Sequence, residues 1–289
     1  SLGGGHTIVI TSLNRVFSFG YNLFGQLGQG SDGSANPLPV EVSIEGLGQG
    51  EIFIQVETGK DHTLLLTNLG NVITWGRNND GQLGNNSINN SNVPIIINEY
   101  FDLNPNEKII NIKAGHFHNS AITNLGNLYL WGNNTYGQLG NNSNQDSRIP
   151  IIINRYVYEN ISGIGEKILE VFLGGYHSML ITTEHTVFAW GRNEYGQLGD
   201  NTNNDQWKPK NISNQINLDE DEVIHKISLG EYHSGMVSSL NNVFTFGFNN
   251  MNQLGLGNKK NQKIPTKSPN LSFEEDTIVK YIHFGSNHS

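Results

Sequence analysis

Trp75-Gly76-Arg77-Asn78-Asn79-Asp80-Gly81-Gln82-Leu83-Gly84 is the stretch from which the fold of this chain is read. An aromatic residue, Gly, any residue and Asn are followed, three residues later, by Gln-Leu-Gly. The same pattern begins at Phe19 (with Gln26-Leu27-Gly28), Trp131 (Gln138-Leu139-Gly140), Trp190 (Gln197-Leu198-Gly199) and Phe246 (Gln253-Leu254-Gly255). Successive copies stand 56, 56, 59 and 56 residues apart. A second motif, Gly-x-x-His, keeps the same phase at Gly3/His6, Gly59/His62, Gly115/His118, Gly174/His177, Gly230/His233 and Gly285/His288. Two motifs in register over the whole chain identify tandem repeats, read at about 3-58, 59-114, 115-173, 174-229 and 230-284.

Each unit reads as four short strands. In the second these are Ile52–Thr58, His62–Thr67, Val72–Trp75 and the segment after Val93-Pro94. Asn68-Leu69-Gly70-Asn71 and Asn124-Leu125-Gly126-Asn127 supply hairpin residues that accept positive φ. Helical apolar periodicity is missing, and 34 glycines among 289 residues suit many tight turns. The predicted fold class is therefore all-β: a β-propeller of four-stranded antiparallel blades, with five repeats of about 56 residues. Ile278–Phe284 is expected to pair beside Thr7–Thr11, so that 278-289 closes a ring; the rival reading is five blades cut from a larger ring. Closure implies a monomer.

The motif residues have structural roles ready. Leu27 and its counterparts are the one apolar point of a polar loop and should plug it onto the blade. Asn22, Asn78, Asn134, Asn193 and Asn249 are expected to form Asx-turns. Trp or Phe before Gly should bury a large area between blades. The phased histidines lie on separate repeats and cannot converge on one ion at ~2 Å, so they are read as hydrogen-bonded structural residues.

Composition excludes several functions. Net charge is −9 and no Lys/Arg run exceeds Lys259-Lys260, which disfavours nucleic acid. The acidic run Asp219 to Glu222 reads as a solvated loop. With no cysteine there is no disulfide framework, thiolate metal site or cysteine nucleophile, and the cytoplasm is the expected compartment. Apolar runs such as Ile95-Ile96-Ile97 fall far short of the ~20 residues that span a bilayer. The first residue is Ser, so the chain is expected to be an excised or processed piece. No nucleophile elbow, phosphate loop or metal-spaced cluster appears, so neither an enzyme nor a cofactor is expected.

Together the two motifs resemble the regulator of chromosome condensation repeat family, over essentially the whole chain. The resemblance implies a propeller that binds proteins through one face. It implies a small GTPase of the Ran or Rab type as partner, or a host GTPase met by a secreted effector. A non-GTPase scaffold and an extracellular inhibitor are the alternatives. The founding member exchanges nucleotide on Ran, but its long wedge-like insertion is missing here, so exchange is expected to be weak at most.

The Gly-x-x-His turn and the Trp-Gly-x-Asn loop lie on one face of an up-and-down blade. In the family, residues of the former turn contribute to the GTPase-facing surface. The matching positions are Lys60 and Asp61, His116 and Phe117, Gly175 and Tyr176, Glu231 and Tyr232, and Ser286 and Asn287. Phe117, Tyr176 and Tyr232 are thus the expected centre of partner contact, with Asp61 and Glu231 at its margin and Arg77 and Arg192 facing the same side. Tyr, Trp and Arg dominate interface hot spots. The alternative is that these rings fill the mouth of the propeller channel. The opposite face, including Asn98 to Lys108, is expected to tolerate change.

Overall fold

The computed structural model describes residues 1–159, 165–269 and 278–285. Five antiparallel sheets follow one another along the chain. The first holds β1 (His6–Ile10), β2 (Val16–Gly20) and β3 (Asn36–Glu41). The second holds β4 (Phe53–Thr58), β5 (His62–Thr67), β6 (Val72–Gly76) and β7 (Ser91–Ile96). The third holds β8 (Ile109–Ala114), β9 (His118–Thr123), β10 (Leu128–Gly132) and β11 (Ser147–Ile152). β12 (Ile168–Leu173), β13 (His177–Thr182), β14 (Val187–Gly191) and β15 (Gln206–Asn211) make the fourth. β16 (Ile224–Leu229), β17 (His233–Ser238), β18 (Val243–Gly247) and β19 (Gln262–Lys267) make the fifth. Strand order in each sheet is sequential, the up-and-down arrangement of a propeller blade. The chain divides into two compact units, Ser1–Asn134 with Gln145–Asn154, and Thr135–Asn144 with Arg155–Ser289.

The fourth strand of the second repeat is Ser91–Ile96, so it contains Val93-Pro94 and does not follow it. Proline is tolerated there because the strand pairs only with β6 and its other edge needs no amide donor. The middle strands carry the core: every residue of β5 and β6 is buried.

Hydrogen bonds from the motif residues join each sheet after the first to a preceding loop. Within the first unit, the Gln26 carbonyl accepts the Trp75 indole N–H at 2.9 Å and the Thr63 hydroxyl at 3.3 Å. The Gln82 carbonyl likewise accepts the Trp131 indole at 3.1 Å and the Asn119 amide at 2.8 Å. Within the second unit, the Gln138 carbonyl accepts Trp190 and Ser178, each at 2.8 Å. Phe246 has no donor to offer, and Ser234 alone reaches the Gln197 carbonyl, at 2.8 Å.

The histidines complete this relay. His62 Nε2 lies 2.7 Å from Asn119 Oδ1, His6 Nε2 3.0 Å from Thr63 Oγ1, and His177 Nε2 2.9 Å from Ser234 Oγ. Because the Asn119 amide and the Thr63 and Ser234 hydroxyls already donate to Gln carbonyls, each imidazole must donate through Nε2. Burial holds His6 and His62 down to about 4. The Gly-x-x-His glycine is fixed by the same packing: a Cβ on Gly59 would stand 2.0 Å from His62 Cε1 and 2.7 Å from the Gly115 carbonyl.

The motif asparagines do more than make Asx-turns. Asn78 Oδ1 accepts the Leu83 amide at 2.9 Å, five residues on, and its Nδ2 donates to the Ser87 and Asn89 carbonyls. Asn22, Asn193 and Asn249 hold Leu27, Leu198 and Leu254 in the same way. All five motif leucines are buried, as a plug requires.

Three expectations need correction. Glu222, read as part of a solvated run, is 5% exposed and accepts from the Asp219 amide at 2.7 Å, the Asn242 amide at 2.7 Å and the Ser238 hydroxyl. Glu107 sits alike: despite burial, its hydrogen bonds, led by Thr123, hold its carboxyl down to about 2. The loop after β7 is not free to change, since Phe101 is buried edge-on against Tyr129 and Trp131 at 5.2 and 5.6 Å. Residues 278–285, expected as a strand beside Thr7–Thr11, contain no strand residue. They lie against the fifth sheet, where the Phe284 amide donates to Ser228 Oγ at 3.1 Å and Lys226 Nζ to the Val279 and Lys280 carbonyls. Ser286, Asn287 and His288 fall outside the described residues.

Buried His6 and His62 set a pH dependence. Their native pKa is depressed from 6.5 to about 4, so between these values the unfolded chain binds more protons than the folded one. Stability is therefore full above about pH 6.5 and falls as pH drops towards 4, by up to about 1.4 kcal/mol per pH unit for each histidine. Urea unfolding should give a lower midpoint at pH 5 than at pH 7.5, with a shallower pH dependence in His62→Gln; equal midpoints would contradict the assignment.

Candidate functional site

The loops that follow β2, β6, β10, β14 and β18, together with the Gly-x-x-His turns, present two clusters of rings around arginine. In the first unit, the Arg77 amide donates to the Asp61 carbonyl at 2.9 Å, which turns its side chain over the neighbouring rings. The guanidinium carbon lies 5.3 Å from the Phe24 ring centre and 5.1 Å from that of Phe117, and Nη1 is 3.6 Å from Asp61 Oδ2. Lys60 Nζ stands 5.5 Å from the Phe117 ring centre. Asp61 also accepts the Gln26 side-chain amide at 3.3 Å.

The cluster in the second unit is larger. The Arg192 amide donates to the Tyr176 carbonyl at 3.0 Å, and its guanidinium carbon lies 4.7, 5.8, 5.9 and 5.0 Å from the ring centres of Tyr136, Tyr176, Tyr195 and Tyr232. The rings pack edge to face, Tyr136 on Tyr176 at 5.4 Å and Tyr195 on Tyr232 at 5.6 Å, while Phe248 tilts against Tyr195 at 4.8 Å. A ring face is electronegative and its edge electropositive, so four tyrosines attract one cation while the edge of one ring attracts the face of its neighbour. Glu194 pairs with the guanidinium from its more exposed side. Burial works against the Arg192 charge, but the bond to Glu194 and the facing tyrosines hold its pKa above the ordinary value. Burial, with the hydrogen bond to Glu231, pushes Tyr232 up to about 12. A cavity of about 460 Å³ opens beside Arg192, walled by Tyr136, Glu194, Asn203, Asn204 and Asp205. Asp205 is raised by burial despite accepting the Asn193 amide.

Of the residues singled out in the sequence, Asp61, Arg77 and Phe117 come together in the first unit. Tyr176, Glu231, Tyr232 and Arg192 come together in the second. Phe117 is 7% exposed, a wedge beneath Lys60 and Arg77, whereas Tyr176 and Tyr232 are half-buried. Sequence reasoning missed Phe24, Tyr136 and Tyr195. All three stand two places before the Gln of the loop motif, and that Gln aims them: Oε1 of Gln26, Gln138 and Gln197 accepts the amides of Phe24, Tyr136 and Tyr195 at 2.9, 3.0 and 2.9 Å. The recurrence of an aromatic residue at this point in three of five repeats was the available signal.

Sheets of this order, stitched through Gln-Leu-Gly loops, define an RCC1-like propeller. The RCC1-like domain family matches residues 1–289, and the chain belongs to it. Among curated relatives it is 30% identical to the Ultraviolet-B receptor UVR8 of Arabidopsis thaliana, over 99% of this chain and 60% of that protein. It is also 30% identical to the human X-linked retinitis pigmentosa GTPase regulator, over 100% of this chain and 31% of that protein. The human probable E3 ubiquitin-protein ligase HERC6 is 32% identical over 99% and 26%. The chain thus spans less than two thirds of these relatives. Among solved structures, human WBSCR16 superposes with a TM-score of 0.77 at 25% identity, covering 99% of this chain and 69% of that one. Yeast RCC1 (Prp20) bound to Kap60 gives 0.79 at 22%, covering 99% and 65%. No helix among the described residues is long and apolar enough to cross a membrane.

A double-mutant cycle tests the cage. Arg192→Ala and Tyr136→Ala should each destabilise the fold, with a coupling of about 1 kcal/mol in urea unfolding, near the value for a partly desolvated cation–π pair. Additive effects would show that the ring merely stands near the charge.

Proposed function

We propose that this chain is a protein-binding propeller whose partner is a small GTPase of the Ran or Rab type. The observation that carries the reading is the Arg192 cluster: an arginine held among four tyrosines, half-exposed and edged by carboxylates. Rigid Tyr and Arg side chains supply contact area at small entropic cost and dominate hot spots. Lys60 and Arg77, seated over the buried Phe117 and Asp61, offer a second contact patch. The partner class draws support from a relative named as a GTPase regulator and from the Prp20p structure of Saccharomyces cerevisiae, whose study concerns binding to Gsp1p and histones. The net charge of −9 disfavours nucleic acid as ligand. Cytoplasmic action suits this partner.

Exchange activity is weak at most, and the chain is not itself an enzyme. An exchange factor must bind the nucleotide-free state more tightly than the loaded one, which calls for an element pushed against the phosphate or magnesium. The loops at 77–90, 133–146, 192–205 and 248–261 are equal in length and tied down by their Asn and Gln, so none extends as a wedge.

A panel of small GTPases loaded with fluorescent nucleotide tests both statements. The expected outcome is complex formation without accelerated release, with affinity lowered about thirtyfold by Tyr176→Ala or Tyr232→Ala. Rapid catalytic release would refute the exchange statement. Failure to bind any GTPase would favour a scaffold or extracellular inhibitor instead, and unchanged affinity in both variants would remove the cluster from the interface.

A further inference from the structure

The connection that leaves the last strand of the second, third and fourth blades is built to one plan, and the first blade departs from it. In the second blade the Ile97 amide donates to the Val72 carbonyl. Asn98 Oδ1 then accepts the Val72 amide at 2.7 Å while its Nδ2 donates to the Gly70 carbonyl at 2.8 Å. Three residues after Asn98, Phe101 drops into the core at the end of the 3-10 turn Asn98–Tyr100. The third blade repeats this with Asn154, which bonds the Leu128 amide at 2.6 Å and the Gly126 carbonyl at 3.1 Å, and with Val157, wholly buried at the same offset in α1 (Asn154–Tyr158). In the fourth blade Ser213 Oγ accepts the Val187 amide at 3.0 Å, and Ile216 is the buried residue three places on.

In the first blade the Val42 amide donates to the Val16 carbonyl, which fixes the alignment. Ser43 then stands where Asn98, Asn154 and Ser213 stand, and Gly46 where Phe101, Val157 and Ile216 stand. Ser43 is exposed and bonds neither the Val16 amide nor the Asn14 carbonyl, the counterparts of the groups that Asn98 bridges. Gly46, at φ 81°, offers no side chain. A cavity of about 480 Å³ results, lined by Asn14, Val16, Val42, Ile44, Leu47 and Phe53, with the Arg15–Glu41 pair at its mouth. Phe53 is half-buried there, whereas its counterparts Ile109, Ile168 and Ile224 are buried. The cavity lies at the end of the blade opposite the Gly-x-x-His turn, apart from the proposed GTPase contact.

We propose that this cavity is a binding site for a short partner segment carrying Asn or Ser followed three residues later by a large apolar side chain. The second, third and fourth blades specify the ligand, since each carries such a segment of its own at the equivalent position. The partner's amide would take the Val16 N–H and the Asn14 carbonyl, and its apolar side chain would cover Val16, Val42 and Phe53. Arg15 and Glu41 neutralise each other across the mouth, and no other charge lines the cavity, so the anchoring residues are uncharged.

The test uses the capped heptapeptide Ile-Asn-Glu-Tyr-Phe-Asp-Leu, the sequence of residues 97–103, added to the isotopically labelled full chain and followed by NMR. Saturable shifts of the Val16, Ser43 and Phe53 amides at submillimolar peptide are expected. Binding should weaken at least tenfold when the peptide's Asn or Phe is replaced by Ala. Ser43→Asn, a surface change that places the chain's own amide over the two backbone groups, should weaken it similarly. Three results would overturn the proposal. They are no shifts at millimolar peptide, shifts indifferent to the peptide's Asn, and shifts at Val72 and Trp131, which would mean that the peptide displaces the chain's own Phe101.

Discussion

The structure depends on a backbone carbonyl. In four of the five loop motifs the Gln carbonyl receives donors from a following strand: indole and hydroxyl or amide at Gln26, Gln82 and Gln138, hydroxyl alone at Gln197. A buried carbonyl left without donors costs roughly 1–3 kcal/mol, so this pairing decides where the loop can lie. At Gln26, Gln82 and Gln197 a histidine, His6, His62 or His177, then orients the side chain that makes the bond. The Leu beside that Gln is driven under the loop, and Asn five residues earlier ties down the Leu amide. Loops that look like polar, Gly-rich excursions are therefore part of the core.

That constraint gives the candidate site its character. The tyrosines around Arg192 belong to loops and turns, which are ordinarily the mobile parts of a protein. Here Gln138 and Gln197 hold the backbone of Tyr136 and Tyr195, and the Tyr176 carbonyl holds the Arg192 amide. A surface fixed before encounter loses little entropy on binding, which is what a protein-recognition face requires.

Much of this was legible in the sequence because periodicity carries it. The 56-residue phase located the strands, and the lone apolar Leu in a polar loop marked the plug. The outer strand was misplaced around Pro94, since proline signals a break unless the strand is known to lie at an edge. Glu222 was misread because a charge run gives no hint of which member finds buried donors. The site was half legible. Arg77, Arg192, Tyr176 and Tyr232 stood out by chemistry, whereas Phe24, Tyr136 and Tyr195 reach the cluster only through the fold of the loop, which local sequence does not reveal. The cavity at Gly46 likewise needed the sister blades in three dimensions before a missing side chain could be noticed.

The claim that the motif loops are core and not decoration is tested most directly by native-state hydrogen exchange. The amides of Leu27, Leu83, Leu198 and Leu254 should exchange as slowly as amides of β5 and β13, through opening that approaches global unfolding. Asn78→Ala should release Leu83 in particular. Loop amides that exchange at nearly unprotected rates, while the strands stay protected, would contradict the account.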